Sequence, residues 1–146
     1  MVAGRFVTMF VGLLSPDGVL EWCSGGHGPA LVRASRGAPI HALEPGLPPI
    51  GILDEMFIER SEPVRLEPGG SLVVTSDGIT ESFSPDNELY GESRLIETLD
   101  ACDSTGDKCT PADQIVRTVH QAVIEWQGHR DEPKDDQTVV VVRRVN

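Results

Sequence analysis

The chain reads as an α+β domain, with strands and hairpins in its first half, helices in its second, and one closing strand. Three observations carry that assignment. From Arg5 to about Ser76, short apolar runs alternate with Gly, Pro and Asp turns. Beyond Asp77, apolar residues recur at helical spacing. Near the C-terminal end, Thr138 to Val142 is a β-branched run far shorter than a membrane span needs.

Phe6 to Leu14 is apolar on both faces of a strand, with Phe6, Phe10 and Leu14 one way and Val7, Met9, Val11 and Leu13 the other. Such a strand is expected to lie between two layers. Ser15-Pro16-Asp17-Gly18 makes a turn, and Val19 to Ser24 follows with alternating character. Ala30–Ser35 and Ala38–Leu43, joined at Arg36-Gly37, form a second hairpin. A Pro-rich link from Glu44 to Pro49 leads to a third. Its arms are Glu59–Leu66, where Pro63 suggests an edge, and Ser71–Ser76, joined by Glu67-Pro68-Gly69-Gly70. Leu95, Ile96, Leu99 and Cys102 mark one helix. A second runs from Pro111 to Trp126, with Thr110 as N-cap and Pro111 in the first helical position. Its stripe is Ile115, Val119, Ala122, Val123 and Trp126, and Gly128 follows its last turn. The closing valine run reads as a central strand.

The 146 residues suit one domain, and 39% of them are hydrophobic. The net charge is −11, of which residues 1–73 carry −3 and residues 74–146 carry −8. An anionic chain repels phosphate backbones and anionic lipid, which argues against nucleic-acid and membrane-surface roles. Cys23, Cys102 and Cys109 are too few and too irregularly spaced for a disulfide framework or a zinc site. With no apolar span and no signal-like N-terminus, the expected location is the cytoplasm.

Two acidic segments carry the chemistry. Asp77 ends a buried strand in Ser-Leu-Val-Val-Thr-Ser-Asp-Gly, and Asp135 and Asp136 immediately precede the valine run. If the two strands are antiparallel neighbours, their acidic groups emerge at one sheet edge. Clustered carboxylates repel unless a cation lies between them, and oxygen donors without His or Cys favour Mg²⁺ or Mn²⁺. Two such ions can activate water for phosphoester hydrolysis. Taken by themselves, Asp77-Gly78 also reads as a plain turn and residues 131–136 as a solvated loop. Ser24-Gly25-Gly26-His27-Gly28-Pro29 lacks the Lys-Ser/Thr ending and following helix of a phosphate loop. His27 reads as a histidine packed at a tight turn or as a general acid. No Gly-x-Ser-x-Gly occurs, so serine hydrolase chemistry is unsupported.

Seven blocks occur in order: Phe6-Val7-Thr8-Met9-Phe10, Ser24–Pro29, Gly46-Leu47-Pro48-Pro49-Ile50-Gly51, Leu66–Gly70, Thr75-Ser76-Asp77-Gly78-Ile79-Thr80-Glu81, Leu89-Tyr90-Gly91 and Asp135-Asp136-Gln137-Thr138. The series resembles the PPM-type metal-dependent Ser/Thr protein phosphatases, in the bacterial branch of sporulation stage II E and RsbU-like regulators. The resemblance covers the chain from about Gly4 onward. It implies an antiparallel β-sandwich with flanking helices and a two-ion Mn²⁺ or Mg²⁺ centre at one edge. Asp77 and Asp135 match the family's metal ligands, with Asp136 the alternative to Asp135. Water rather than a side chain would be the nucleophile, and no catalytic role passes to His27. The implied substrate is phosphoserine or phosphothreonine on a regulatory protein such as an anti-sigma-factor antagonist.

The family's D-x-x-G-H-G block, which supplies a metal-bridging Asp, has no match here. Residues 1–146 are therefore expected to form a partial phosphatase domain, lacking the first strands and one helical layer. Two expectations follow. Hydrolysis by this chain is impaired, and an apolar sheet face is left open to a second copy or a complementing segment. The competing expectation is a non-catalytic half-domain that binds a regulatory partner through that face.

Overall fold

Ser15-Pro16-Asp17-Gly18 closes the first hairpin as expected: the Gly18 N–H reaches Ser15 O at 2.9 Å, and Gly18 takes a φ of +91°. The hairpin joins β1 (Met9–Leu14) to β2 (Val19–Gly25), and β5 (Val64–Arg65) adds to the other side of β2. The computed structural model describes residues 5–53, 55, 61–104, 109–128 and 135–145. A second antiparallel sheet has the order β4-β3-β6-β7, built from β3 (Ala30–Arg33), β4 (Ile40–Ala42), β6 (Ser71–Thr75) and β7 (Val139–Arg143). Helices α1 (Asp77–Thr80), α2 (Gly91–Ser104) and α3 (Ala112–Trp126) lie between β6 and β7 in the chain.

Alternation in β3 and β6 splits the apolar residues between two cores. Ala30, Val32, Leu72 and Val74 face the other sheet, packing with Leu20, Leu43 and Leu66. Leu31 and Val73 face the helices, packing with Ile79, Leu95, Leu99, Ile115, Val119 and Val123. The result is a sheet-on-sheet sandwich with helices on one outer face, the α+β class expected.

Four details differ from the sequence reading. The third hairpin does not form, because both edges of β6 are taken by β3 and β7; the other arm pairs with β2 instead. Glu67–Gly70 is thus a crossover between sheets, pinned where the Glu67 N–H bonds Ala34 O at 2.7 Å. Among the described residues the first strand is covered on one face only: Phe10 faces the core, whereas Met9, Val11 and Leu13 are exposed, Leu13 by 67%. The valine run is an edge strand among the described residues, with Val140 51% exposed. Finally, Pro111 is the N-cap of α3, since the Thr110 hydroxyl is buried and donates to Cys102 O. Residues 59 and 60 of the expected third hairpin lie outside the described residues.

Arg33 and Arg143 flank Ser71 across the second sheet, on its helix-covered face. Asp103 of α2 bridges them, 3.3 Å from Arg33 Nε and 2.7 Å from Arg143 Nη2, with all three side chains at most 6% exposed. Asp100, 54% exposed, lies 2.7 Å from Arg33 Nη2. Arg144 points the other way and donates to Asp17 O and Leu66 O at 2.8 and 2.6 Å, tying the two sheets together at this end.

This packing sets the expected cost of three substitutions, all read by urea unfolding. Leu95→Ala empties a fully buried position in the helix–sheet core and is expected to cost about 2–5 kcal/mol. Asp103→Ala takes the carboxylate from the buried Arg143 guanidinium and leaves Arg33 with Asp100 alone, and is expected to cost about 3–5 kcal/mol. Asp100→Ala, at a half-exposed carboxylate, is expected to cost about 1 kcal/mol or less.

Candidate metal centre

β6 and β7 pair antiparallel from Ser71↔Arg143 to Thr75↔Val139, so the end of one strand and the start of the other share an edge. Beyond the ladder the pairing continues through Ser76. Its N–H donates to Thr138 O at 3.0 Å, while its hydroxyl accepts the Thr138 N–H and donates to Asp136 O, both at 2.9 Å. Asp77, Asp135 and Asp136, which the sequence places at the strand ends, thereby emerge at the same edge.

Gly78 shows how close the two segments run. A Cβ added there would lie 2.3 Å from Asp136 O and 3.5 Å from the Asp135 carbonyl carbon, so no larger residue fits. Asp77 Oδ1 accepts the Gly78 N–H at 3.0 Å, and Asp135 Oδ1 accepts the Asp136 N–H at 2.8 Å. Each carboxylate is oriented by the next residue's backbone and remains exposed to solvent.

Behind this edge, Ser82 joins three elements. Its buried hydroxyl donates to Gly78 O at 2.7 Å and accepts from Gln137 Nε2 at 3.0 Å and Gln127 Nε2 at 3.3 Å. The short helix α1, the end of α3 and the segment leading into β7 are thus held as one support. Sequence reasoning missed Ser76, Gly78, Ser82 and Gln137 in these roles. The Ser-Asp-Gly triplet carried the signal, but its glycine read as a turn residue rather than as a close backbone crossing.

Exposed carboxylates with hard oxygen donors suit Mg²⁺ or Mn²⁺ rather than a softer ion. The fit is partial: among the described residues, no group of three or more His, Cys, Asp or Glu side chains gathers that could hold a metal ion. Asp136 lies beside Asp135 and its carbonyl is engaged by Ser76, so its side chain remains the alternative donor. Ser24–Pro29 joins the two sheets and opens no helix, in keeping with its failure as a phosphate loop. Of the other histidines, His41 lies on β4 and His120 on α3, while His129 falls outside the described residues. No helix among the described residues is long and apolar enough to cross a membrane.

Known proteins share this fold. Protein IcfG of Synechocystis sp. is 30% identical over 142 residues, covering 95% of this chain and 21% of its own length. The PP2C phosphatase domain with a fragment of the regulatory domain of SpoIIE from Bacillus subtilis superposes with a TM-score of 0.73 at 25% identity. That match covers 93% of this chain and 37% of the other. The RsbU and RsbW domains of Rv1364c from Mycobacterium tuberculosis match with a TM-score of 0.68 at 22% identity, over 99% of this chain and 38% of the other. A manganese-presoaked SpoIIE phosphatase domain from Bacillus subtilis matches with a TM-score of 0.66 at 22% identity. Coverage there is 94% of this chain and 56% of the other. This chain therefore spans well under two thirds of each relative. The family model for stage II sporulation protein E matches residues 1–145, and with two antiparallel sheets of the PP2C phosphatase kind the chain belongs to the SpoIIE family.

Proposed function

We propose that this chain supplies one side of a metal-dependent protein phosphatase centre, with Asp77 and Asp135 as ligands of Mn²⁺ or Mg²⁺. The close approach of the two segments that carry these carboxylates, at the Gly78 crossing, supports the reading. When bound, such ions supply Lewis-acid activation of water and neutralise charge on a transferred phosphoryl group. The chain's own residues do the positioning. Ser76 fixes the spacing of the two segments, Gly78 allows their contact, and Ser82 with Gln137 holds the support beneath. The substrate is phosphoserine or phosphothreonine on a cytoplasmic regulatory protein, of the anti-sigma-factor antagonist kind associated with this branch.

Two carboxylates hold at most part of a two-ion centre, so turnover by residues 1–146 alone is weak. Met9, Val11 and Leu13 leave the outer face of the first sheet apolar and exposed. A complementing segment that covers this face and brings a further acidic ligand completes both the fold and the site. The same exposed face supports the second reading, a non-catalytic module that binds a regulatory partner or a second copy.

Calorimetric titration of the chain with Mn²⁺ separates the two. Saturable binding is expected, lost in Asp77→Asn and Asp135→Asn and retained in Asp136→Asn. Phosphate release from a phosphoserine peptide is expected to require Mn²⁺ and to vanish in Asp77→Asn. No metal binding, together with a tight partner complex, favours the binding module. A further check concerns Gly78→Ala, whose new methyl meets backbone rather than a flexible side chain. It is expected to cost about 1–3 kcal/mol in urea unfolding, and to weaken Mn²⁺ binding by forcing the Asp135 segment away.

A further inference from the structure

The Gly-rich run Ser24–Pro29 takes no part in the centre described above, yet its backbone is held from several directions. The Ser24 hydroxyl donates to His27 O at 2.7 Å, and the Leu47 N–H donates to Ser24 O at 3.2 Å. Gly26 adopts a φ of +64° against Pro49, where a Cβ would lie 2.5 Å from the Pro49 ring. On the far side of His27, the Thr75 N–H donates to Pro29 O at 3.0 Å. A loop anchored on both sides of one histidine fixes where that imidazole stands.

The ring stands at the opening between the two sheets. A groove of about 430 Å³ runs there, and of its lining residues only Thr8 and His27 have polar side chains. Val74 and Val140 line it too. Val74 pairs with Val140, one step before the Thr75↔Val139 pair that ends the ladder ahead of Ser76 and Thr138. These are the residues that hold the Asp77 and Asp135 segments together. The Thr75 N–H bond to Pro29 O places the loop that carries His27 at the end of β6 from which Ser76 and Asp77 follow. Its Nδ1 lies 3.1 Å from Thr8 Oγ1. With Thr8 donating, the neutral ring carries its proton on Nε2, and the imidazolium also carries one there.

We propose that His27 is a substrate contact of this centre: its Nε2 donates a hydrogen bond to the phosphoryl group, with Thr8 orienting the ring. The proposal rests on the metal-centre reading and adds to it a residue outside both acidic segments. During hydrolysis, water adds to phosphorus and gives up one proton, the P–O bond to the seryl or threonyl oxygen breaks, and that oxygen takes up one proton, so the products are the alcohol and inorganic phosphate. The Nε2–H holds the phosphoryl group in place through this exchange.

The test is nuclear magnetic resonance on the isotope-labelled full chain. Substoichiometric Mn²⁺ is expected to broaden the amides of Asp77 and Asp136 together with the His27 imidazole, leaving those of His41 and His120 sharp. Inorganic phosphate added with Mg²⁺ is expected to shift the His27 ring saturably. His27→Ala is expected to weaken phosphate binding about tenfold while the Asp77 and Asp136 amides still broaden with Mn²⁺. Broadened amides beside a sharp His27 ring overturn the role of His27 and leave the metal reading standing. Absence of broadening at every site removes the metal reading, and the His27 contact with it. A His27 ring unmoved by phosphate overturns the proposal wherever else phosphate binds.

Discussion

The pairing of β6 with β7 is the constraint on which the rest depends. β6 is buried on both faces and hydrogen-bonded on both edges, so it contributes to both cores and to both neighbours. Placing β7 antiparallel beside it brings residues 77 and 135, far apart in sequence, to one edge. It also forces two backbone segments so close that position 78 tolerates only hydrogen as a side chain. Had the closing strand joined the other edge of the sheet, beside β4, the acidic segments would stand two strands further apart, about 10 Å.

Much of this was legible before any coordinates. A strand that ends in Ser-Asp-Gly and another that begins after Asp-Asp announce a shared edge once they are assumed to be neighbours. The hairpins built on strong turn residues, Ser15–Gly18 and Arg36-Gly37, formed as expected. What escaped has a common cause. An apolar pattern states that a face is to be covered but not by which layer, so Phe6–Leu14 and the valine run were assigned coverings the described residues lack. Turn chemistry at Glu67–Gly70 gives a change of direction but not the sheet that receives the chain. The ion pairs of Asp103 link residues 70 and 40 positions apart, and no local pattern encodes such a contact.

Charge is arranged along the sheet in opposite senses at its two ends. At the helix-covered end Asp103 is buried between two guanidinium groups, and its charge is compensated within the fold. At the other end Asp77, Asp135 and Asp136 enter no ion pair among the described residues and face solvent. A surplus of exposed carboxylates is a poor surface for a phosphoprotein unless cations reverse its sign. The acidity of the chain, which argues against nucleic acid, therefore agrees with an ion-dependent site.

The four valines from Val139 to Val142 are interchangeable, and a uniform run cannot by itself say which residue stands opposite which. Arg143 removes that degeneracy. It meets Asp103 only where it faces Ser71, and a slip of one position would turn its charge into the apolar gap between the sheets. Each position of slip would also carry Asp135 about 3.3 Å along the sheet edge. The ion pair at one end of the strand thus acts as the address label for the acidic group beyond the other, eight residues away.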